Sequence, residues 1–215
     1  ARVVWVPPVA CANQRDSRAQ APEGATPPMW AQVQDDLAAQ GIMAPAIAVL
    51  DAAGQVVPAL REVLTLIAEY DMVVATGHLS SPEITAVVAA AGELGVKRIV
   101  VTHPEFTSQQ LPVDVQRSLA EGGALMERCL TTPHSGQIHW ELLYEKLRAV
   151  GPEHPLLSSD LGQPFNPPLE DGLALLADRL LQNGFSEDEV HLMAVENSRR
   201  VAAAPADATV SGVTK

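Results

Sequence analysis

From Met72 onward the chain settles into a repeat that few folds accommodate: a short run apolar on both faces, then an amphipathic stretch of helix length. The runs are MVVATGH (72–78), RIVVTH (98–103), ALMERCL (124–130) and PLLSSD (155–160). Strands apolar on both faces must be covered on both faces, and alternation with helices makes them parallel. The stretches between predict helices from Pro82 to about Leu94, Pro112 to about Glu121, His139 to Val150 and Glu170 to Asn183. An earlier run, Arg2 to Val9, is β-branched and aromatic, is stopped by prolines, and reads as one more buried strand. Units of roughly 30 residues match a (β/α) barrel, which takes ~250 residues for eight units. The expected fold is α/β, of the (β/α)8 TIM-barrel type, over residues 1–201. Five runs cannot close eight strands by themselves, so three strands are expected either ahead of this segment or on another polypeptide.

Between the first two runs, residues 13–45 form a polar insertion with Pro22, Gly24, Pro27 and Pro28 and one predicted helix from Met29 to Gln40, a candidate lid. Ile47–Leu50 and Gln55–Val57 read as a small hairpin, and Pro58 opens a helix with apolar Leu60, Val63, Leu64 and Ile67. Ser186 and Glu189 form a capping box for the last helix. Residues 202–215, rich in Ala, Pro, Ser and Thr, are expected to be a flexible tail.

Composition narrows the function. A net charge of −12 disfavours nucleic acid and anionic lipid, both of which demand clustered Lys and Arg. No apolar run approaches the ~20 residues of a membrane span. Cys11 and Cys129 make neither a disulfide framework nor a close-spaced zinc motif, so a reducing cytoplasm is the expected compartment and a small molecule the expected ligand. The opening residues lack the pattern of a secretory leader, and no Met marks residue 1 as a start.

The chemistry is concentrated where strands end. His78, His103 and Asp160 each close one of the apolar runs, and the C-terminal rim of parallel strands is where barrel enzymes place their reactive groups. Two imidazoles and a carboxylate suit zinc or a similar divalent ion with an open position for water. Glu127, in mid-strand, either faces the same centre or forms an ion pair with Arg128 or another cation. Cys11 and Asn13 follow the first strand and could touch substrate, although a buried, inert Cys is the ordinary alternative. His134 and His139 could reach the rim or could be solvated loop residues, whereas His154 and His191 are expected to be structural. Ser158 and Ser159 lack the G-x-S-x-G elbow of a nucleophile.

The segments TGHLSSPEI (76–84), GVKRIVVTHPEF (95–106), LLSSDLGQP (156–164) and GFSEDEVHLMAVENSRRV (184–201) together resemble the amidohydrolase superfamily of metal-dependent barrels. The resemblance implies that this chain supplies strands 4–8 and that His78, His103 and Asp160 are metal ligands or metal-site residues, with a divalent ion, zinc first, as cofactor. It implies hydrolysis of an amide, lactam or cyclic imide C–N bond by activated water, with Asp160 moving the proton and His103 a ligand or oxyanion partner; Glu127, from its place in the strand, is a candidate catalytic residue beside them. Decarboxylation by the same superfamily and a non-catalytic subunit are the alternatives. The superfamily's H-x-H pair has no counterpart in this sequence, nor does a bridging Lys or Glu stand at Pro7, Pro8 and Val9. A complementing polypeptide carrying strands 1–3 and H-x-H is therefore the expected partner.

Overall fold

The computed structural model describes residues 2–7, 10–19, 29–42, 45–163 and 166–203. In chain order the first elements are β1 (Val3–Trp5), α1 (Ala12–Ala19), α2 (Met29–Ala39), α3 (Pro58–Glu69), β2 (Val73–Ala75), α4 (Ser81–Glu93), β3 (Arg98–Val101) and α5 (Val113–Glu121). They are followed by β4 (Leu125–Cys129), α6 (Thr131–His134), α7 (Trp140–Val150), β5 (Pro155–Ser158), α8 (Gly172–Gln182), α9 (Glu187–His191) and α10 (Asn197–Ala202). Every neighbouring pair of strands is parallel, and the spatial order β1-β2-β3-β4-β5 repeats the sequence order.

Sequential order has a structural consequence. Right-handed crossovers that always step the same way deposit their helices on one face of the sheet, whereas a doubly wound sheet reverses direction and covers both. The side chains divide accordingly. Val74, Ile99, Val101 and Met126 pack with Leu64, Ile84 and Val87 of the helices, while Val73, Ala75, Val100, Leu125 and Leu156 form a separate cluster. The second cluster lies on the opposite face, as the two-residue period of a strand requires.

The period also decides the fate of Glu127. Met126 and Arg128 face the helices; Leu125, Glu127 and Cys129 face the other way. Arg128, fully buried, pairs with the buried carboxylate of Glu105 and donates to Gln116 Oε1 at 2.9 Å, and Gln116 Nε2 returns a bond to Glu105 at 3.2 Å. Glu127 is not part of that ion pair.

Local chemistry sets the helix starts. At α4, Glu83 accepts from both the Ser80 backbone N–H and its hydroxyl at 2.7 Å, a capping box the sequence reading passed over. At α9 the expected box forms, with Glu189 N–H donating to Ser186 Oγ at 3.2 Å. Helix α9 runs into a π-helical turn, Leu192–Glu196, which delivers fully buried Asn197 to the backbone carbonyls of Pro152 and Pro155. Val201 of α10 packs against the cluster on the open face of the sheet, and the Ala203 carbonyl accepts from Arg2 at 2.8 Å and Arg98 at 2.6 Å.

Several expectations need correction. The strands are shorter than the apolar runs, because the last residues of each run leave the ladder to form the rim. The 13–45 insertion contains α1 as well as α2; its residues 20–28 and 43–44, with Pro22, Gly24, Pro27 and Pro28, lie outside the described residues, as do Pro8, Val9 and 204–215 of the expected tail. The hairpin is reduced to one antiparallel bridge, Leu50 to Val56, while Ile47 pairs in parallel with Cys11. Leu169–Asp171 is a 3-10 turn, so α8 begins only at Gly172. Among the described residues no helix is long and apolar enough to cross a membrane.

Candidate active site

Where β2 and β3 stop pairing, two threonines replace the ladder. Thr102 N–H donates to Thr76 Oγ1 at 3.1 Å and Gly77 N–H to Thr102 Oγ1 at 3.2 Å. This brace holds the residues just before His78 and His103 side by side. Gly77 sits at φ +59°, and His103 and Asp160, which are not glycines, lie at φ +24° and +50°. Left-handed backbone at such residues costs on the order of 1–3 kcal/mol each and persists only where surrounding contacts enforce it. For Asp160 one such contact is Thr131, whose hydroxyl lies 2.7 Å from the Ser159 carbonyl and 2.6 Å from that of Asp160.

The two imidazoles meet with Nε2 to Nε2 at 3.1 Å. Phe106 lies against both rings, stacked on His78 with centroids 5.4 Å apart. Behind His103, Gln109 Oε1 is 2.8 Å from Nδ1, and Gln109 Nε2 reaches the carbonyls of Gly77 (2.6 Å) and Thr102 (3.1 Å). Burial, and secondarily the electrostatic effect of the adjoining His103, holds the His78 imidazolium down to a pKa of about 3, so His78 is neutral. Its Nδ1 is buried without a partner.

These rings open on a cleft of about 400 Å³ whose walls include Trp5, Glu127, Cys129, Ser158 and Asp160. Burial raises the Glu127 carboxyl above its ordinary range, against the lowering effects of the Ser158 hydroxyl and His103. Partial desolvation by the cleft wall raises Asp160 as well, against the pull of His103. Two carboxyls whose affinity for a proton is raised by burial are suited to accepting and returning one.

The structure thus brings His78, His103, Glu127 and Asp160 to one cleft. Cys11 and Asn13 lie instead behind His78: Cys11 Sγ is 3.3 Å from the His78 carbonyl, and Asn13 Nδ2 donates at 2.9 Å to both that carbonyl and Ser108 O. They position the backbone of His78 rather than lining the cleft. His134 is exposed at the end of α6, and His139 is exposed at the N-cap of α7. His154 offers its carbonyl to Met126 N–H at the opposite end of β5, and exposed His191 faces Glu196 at 3.5 Å. Sequence reasoning missed Gln109, Phe106 and the threonine brace. Only the brace left a signal, the Thr that recurs ahead of each histidine in TGH and TH.

A divalent ion is compatible with part of this arrangement. Two nitrogens each ~2.0–2.1 Å from one zinc ion stand roughly 2.9–3.4 Å apart at ordinary ligand angles, and the histidine pair falls in that interval. Among the described residues no group of three His, Cys, Asp or Glu side chains is placed to hold a metal ion; His78 and His103 would supply two positions.

A solved structure described as an amidohydrolase from Burkholderia multivorans with bound HEPES is similar at 16% identity and a TM-score of 0.49, over 69% of this chain and 59% of that one. The chain therefore spans about three-fifths of that protein's length. No curated protein matches. The family described as "Family of unknown function (DUF6282)" matches residues 1–127, more than half of the sequence, and the chain belongs to that family.

Proposed function

We propose that this chain carries the catalytic rim of a metal-dependent hydrolase that cleaves a C–N bond, in an amide, lactam or cyclic imide, of a small molecule. The observation that carries the reading is the convergence of two facing imidazole nitrogens and two carboxyls of raised pKa on one cleft. His78 and His103 would hold a divalent ion, zinc first, through Nε2. When bound, the ion supplies positive charge that polarises a carbonyl and acidifies water.

The remaining work belongs to the side chains. Asp160, at the mouth, takes a proton from the attacking water; as the C–N bond breaks, the same carboxyl returns the proton to the leaving nitrogen. Glu127, deeper in the cleft and biased toward its protonated form, donates a hydrogen bond to the substrate and fixes its orientation. Trp5 presents an indole face at the edge of the cleft for the apolar part of the substrate. With a panel of lactams and cyclic imides as substrates, Asp160→Asn should abolish turnover while leaving divalent-ion binding intact. Full activity in that variant would remove Asp160 from the mechanism.

The same proposal includes further (β/α) units that complete a barrel in which β1–β5 are strands 4–8. Among the described residues neither β1 nor β5 has a second partner strand. The helix layer is open at the same two flanks. Val63, Leu66 and Tyr70 form an exposed stripe on α3, and Leu173 and Leu181 continue one from Leu169 along α8. Open strand edges beside apolar helix faces are places where more of the same two layers would dock. By resemblance, the added units would bring an H-x-H pair and complete the ligand set, whether they belong to a second chain or to a longer version of this one. Native purification should yield a polypeptide of roughly 70–110 additional residues, the size of three units; a fully active species of 22.8 kDa alone would refute this part.

A further inference from the structure

Gln109 touches both halves of the histidine pair's support, and its amide has a single workable orientation. Its Nε2 faces two backbone carbonyls, those of Gly77 and Thr102. A flipped amide would set oxygen against both of them, at the cost of two hydrogen bonds in a side chain that is 4% exposed. The oxygen must therefore face His103 Nδ1 at 2.8 Å. A carbonyl oxygen only accepts, so Nδ1 must carry the hydrogen.

From this geometry we infer that Gln109 is a positioning residue that locks the His103 imidazole in its Nδ1–H tautomer and aims the free Nε2 lone pair at His78. In the ion-free protein the short Nε2 to Nε2 contact then requires His78 to be the opposite tautomer, with Nε2–H donating to His103. That assignment accounts for the buried, unpartnered His78 Nδ1, which becomes a bare lone pair rather than an unsatisfied donor. The same amide ties the residue before each histidine, so one side chain sets both the spacing of the rings and which nitrogen is available. Neighbours of this kind, bonded to the far nitrogen of a ligating histidine, fix ring and tautomer in metal sites and typically change metal affinity about 10- to 100-fold when removed. The inference concerns the site proposed above, but its principal readout needs neither turnover nor metal.

The test is 15N NMR of histidine-labelled, EDTA-treated full chain, with His103 assigned by comparison with His103→Gln. The expected spectrum has a protonated Nδ1 and an unprotonated Nε2 for His103, and the reverse for His78. Gln109→Met, which keeps side-chain length but removes both functions of the amide, should move His103 toward the Nε2–H form and weaken Co(II) binding about 10- to 100-fold. Gln109→Glu retains an acceptor at Nδ1 and should restore the Nδ1–H tautomer even though the ties to Gly77 and Thr102 are lost. If Gln109→Met does not fold, the wild-type and Gln109→Glu spectra still decide the matter. A wild-type His103 protonated at Nε2, or a folded Gln109→Met whose tautomer is unchanged, overturns the inference. Wild-type protein with the expected tautomers but no Co(II) uptake, alone or with the complementing units present, supports the inference while overturning the hydrolase reading.

Discussion

Arg128→Met should be among the most damaging single substitutions in the chain. The guanidinium is fully buried on the helix side of β4, and its partner Glu105 has a side chain only 2% exposed. Removing the cation leaves that carboxylate with Gln116 Nε2, at 3.2 Å, as its remaining side-chain donor. Breaking a buried pair from one side costs ~3–5 kcal/mol, because an uncompensated charge stays behind. With a urea m-value of about 2–3 kcal/mol/M, the midpoint should fall by roughly 1–2 M. Replacing both partners, Glu105→Leu with Arg128→Met, removes the stranded charge and should recover most of the loss, which a double-mutant cycle measures as a coupling of opposite sign to the single effects. Glu127→Gln, on the other face of the strand, should leave the cycle unchanged. A loss below about 1 kcal/mol for Arg128→Met would mean that the charge is hydrated, and the assignment of alternate β4 residues to opposite faces would fail with it.

Glu127→Gln should itself stabilise the protein near neutral pH. A carboxyl whose folded pKa is raised contributes most below its unfolded pKa and loses that contribution as pH rises through the folded value, so the variant should gain over wild type at pH 7–8 and lose its advantage toward pH 4. Each ~1 kcal/mol of gain should appear as about 2–4 °C in melting temperature. His78 carries the opposite sign. Its pKa, lowered to about 3, makes its contribution complete above the unfolded value near 6.5 and progressively lost as pH falls from there toward 3. Its ring proton resonance in EDTA should show no titration step between pH 7 and 5, and a step near 6.5 would contradict its burial. Ser80→Ala removes the capping hydroxyl of α4 and should cost ~0.5–2 kcal/mol by denaturant melt, with no cost expected if Glu83 alone holds the helix start.

The strand ends were readable because an apolar run that stops at His or Asp places that residue at a rim, whatever the details of the sheet. The face of Glu127 was not readable, because Leu125 and Cys129 on one side of the strand are matched by Met126 and Leu130 on the other. Its ion-pair alternative could not be dismissed from sequence, since Arg128 finds its carboxylate 23 positions back, at Glu105, on the far side of helix α5 in the chain. Helix α1 went unseen because ANQRDSRA has almost no apolar face and is stabilised by contacts from elsewhere, such as Asn13 to His78 and Ser108. Gln109 left no trace at all. Its role depends on the loop after His103 folding back so that an amide six residues on meets the ring, and no periodicity encodes that.

The contact between Arg2 and the Ala203 carbonyl spans 201 positions. A protein made from its N-terminus cannot form it until α10 has been synthesised, so β1 remains without that anchor while the residues between them are made. Contacts of such separation carry a large loop-closure cost and slow folding. Helix α10 is thus also a timing element: until it arrives, the apolar face formed by Val73, Val100 and Leu125 lacks its Val201 cover and stays open to misassociation.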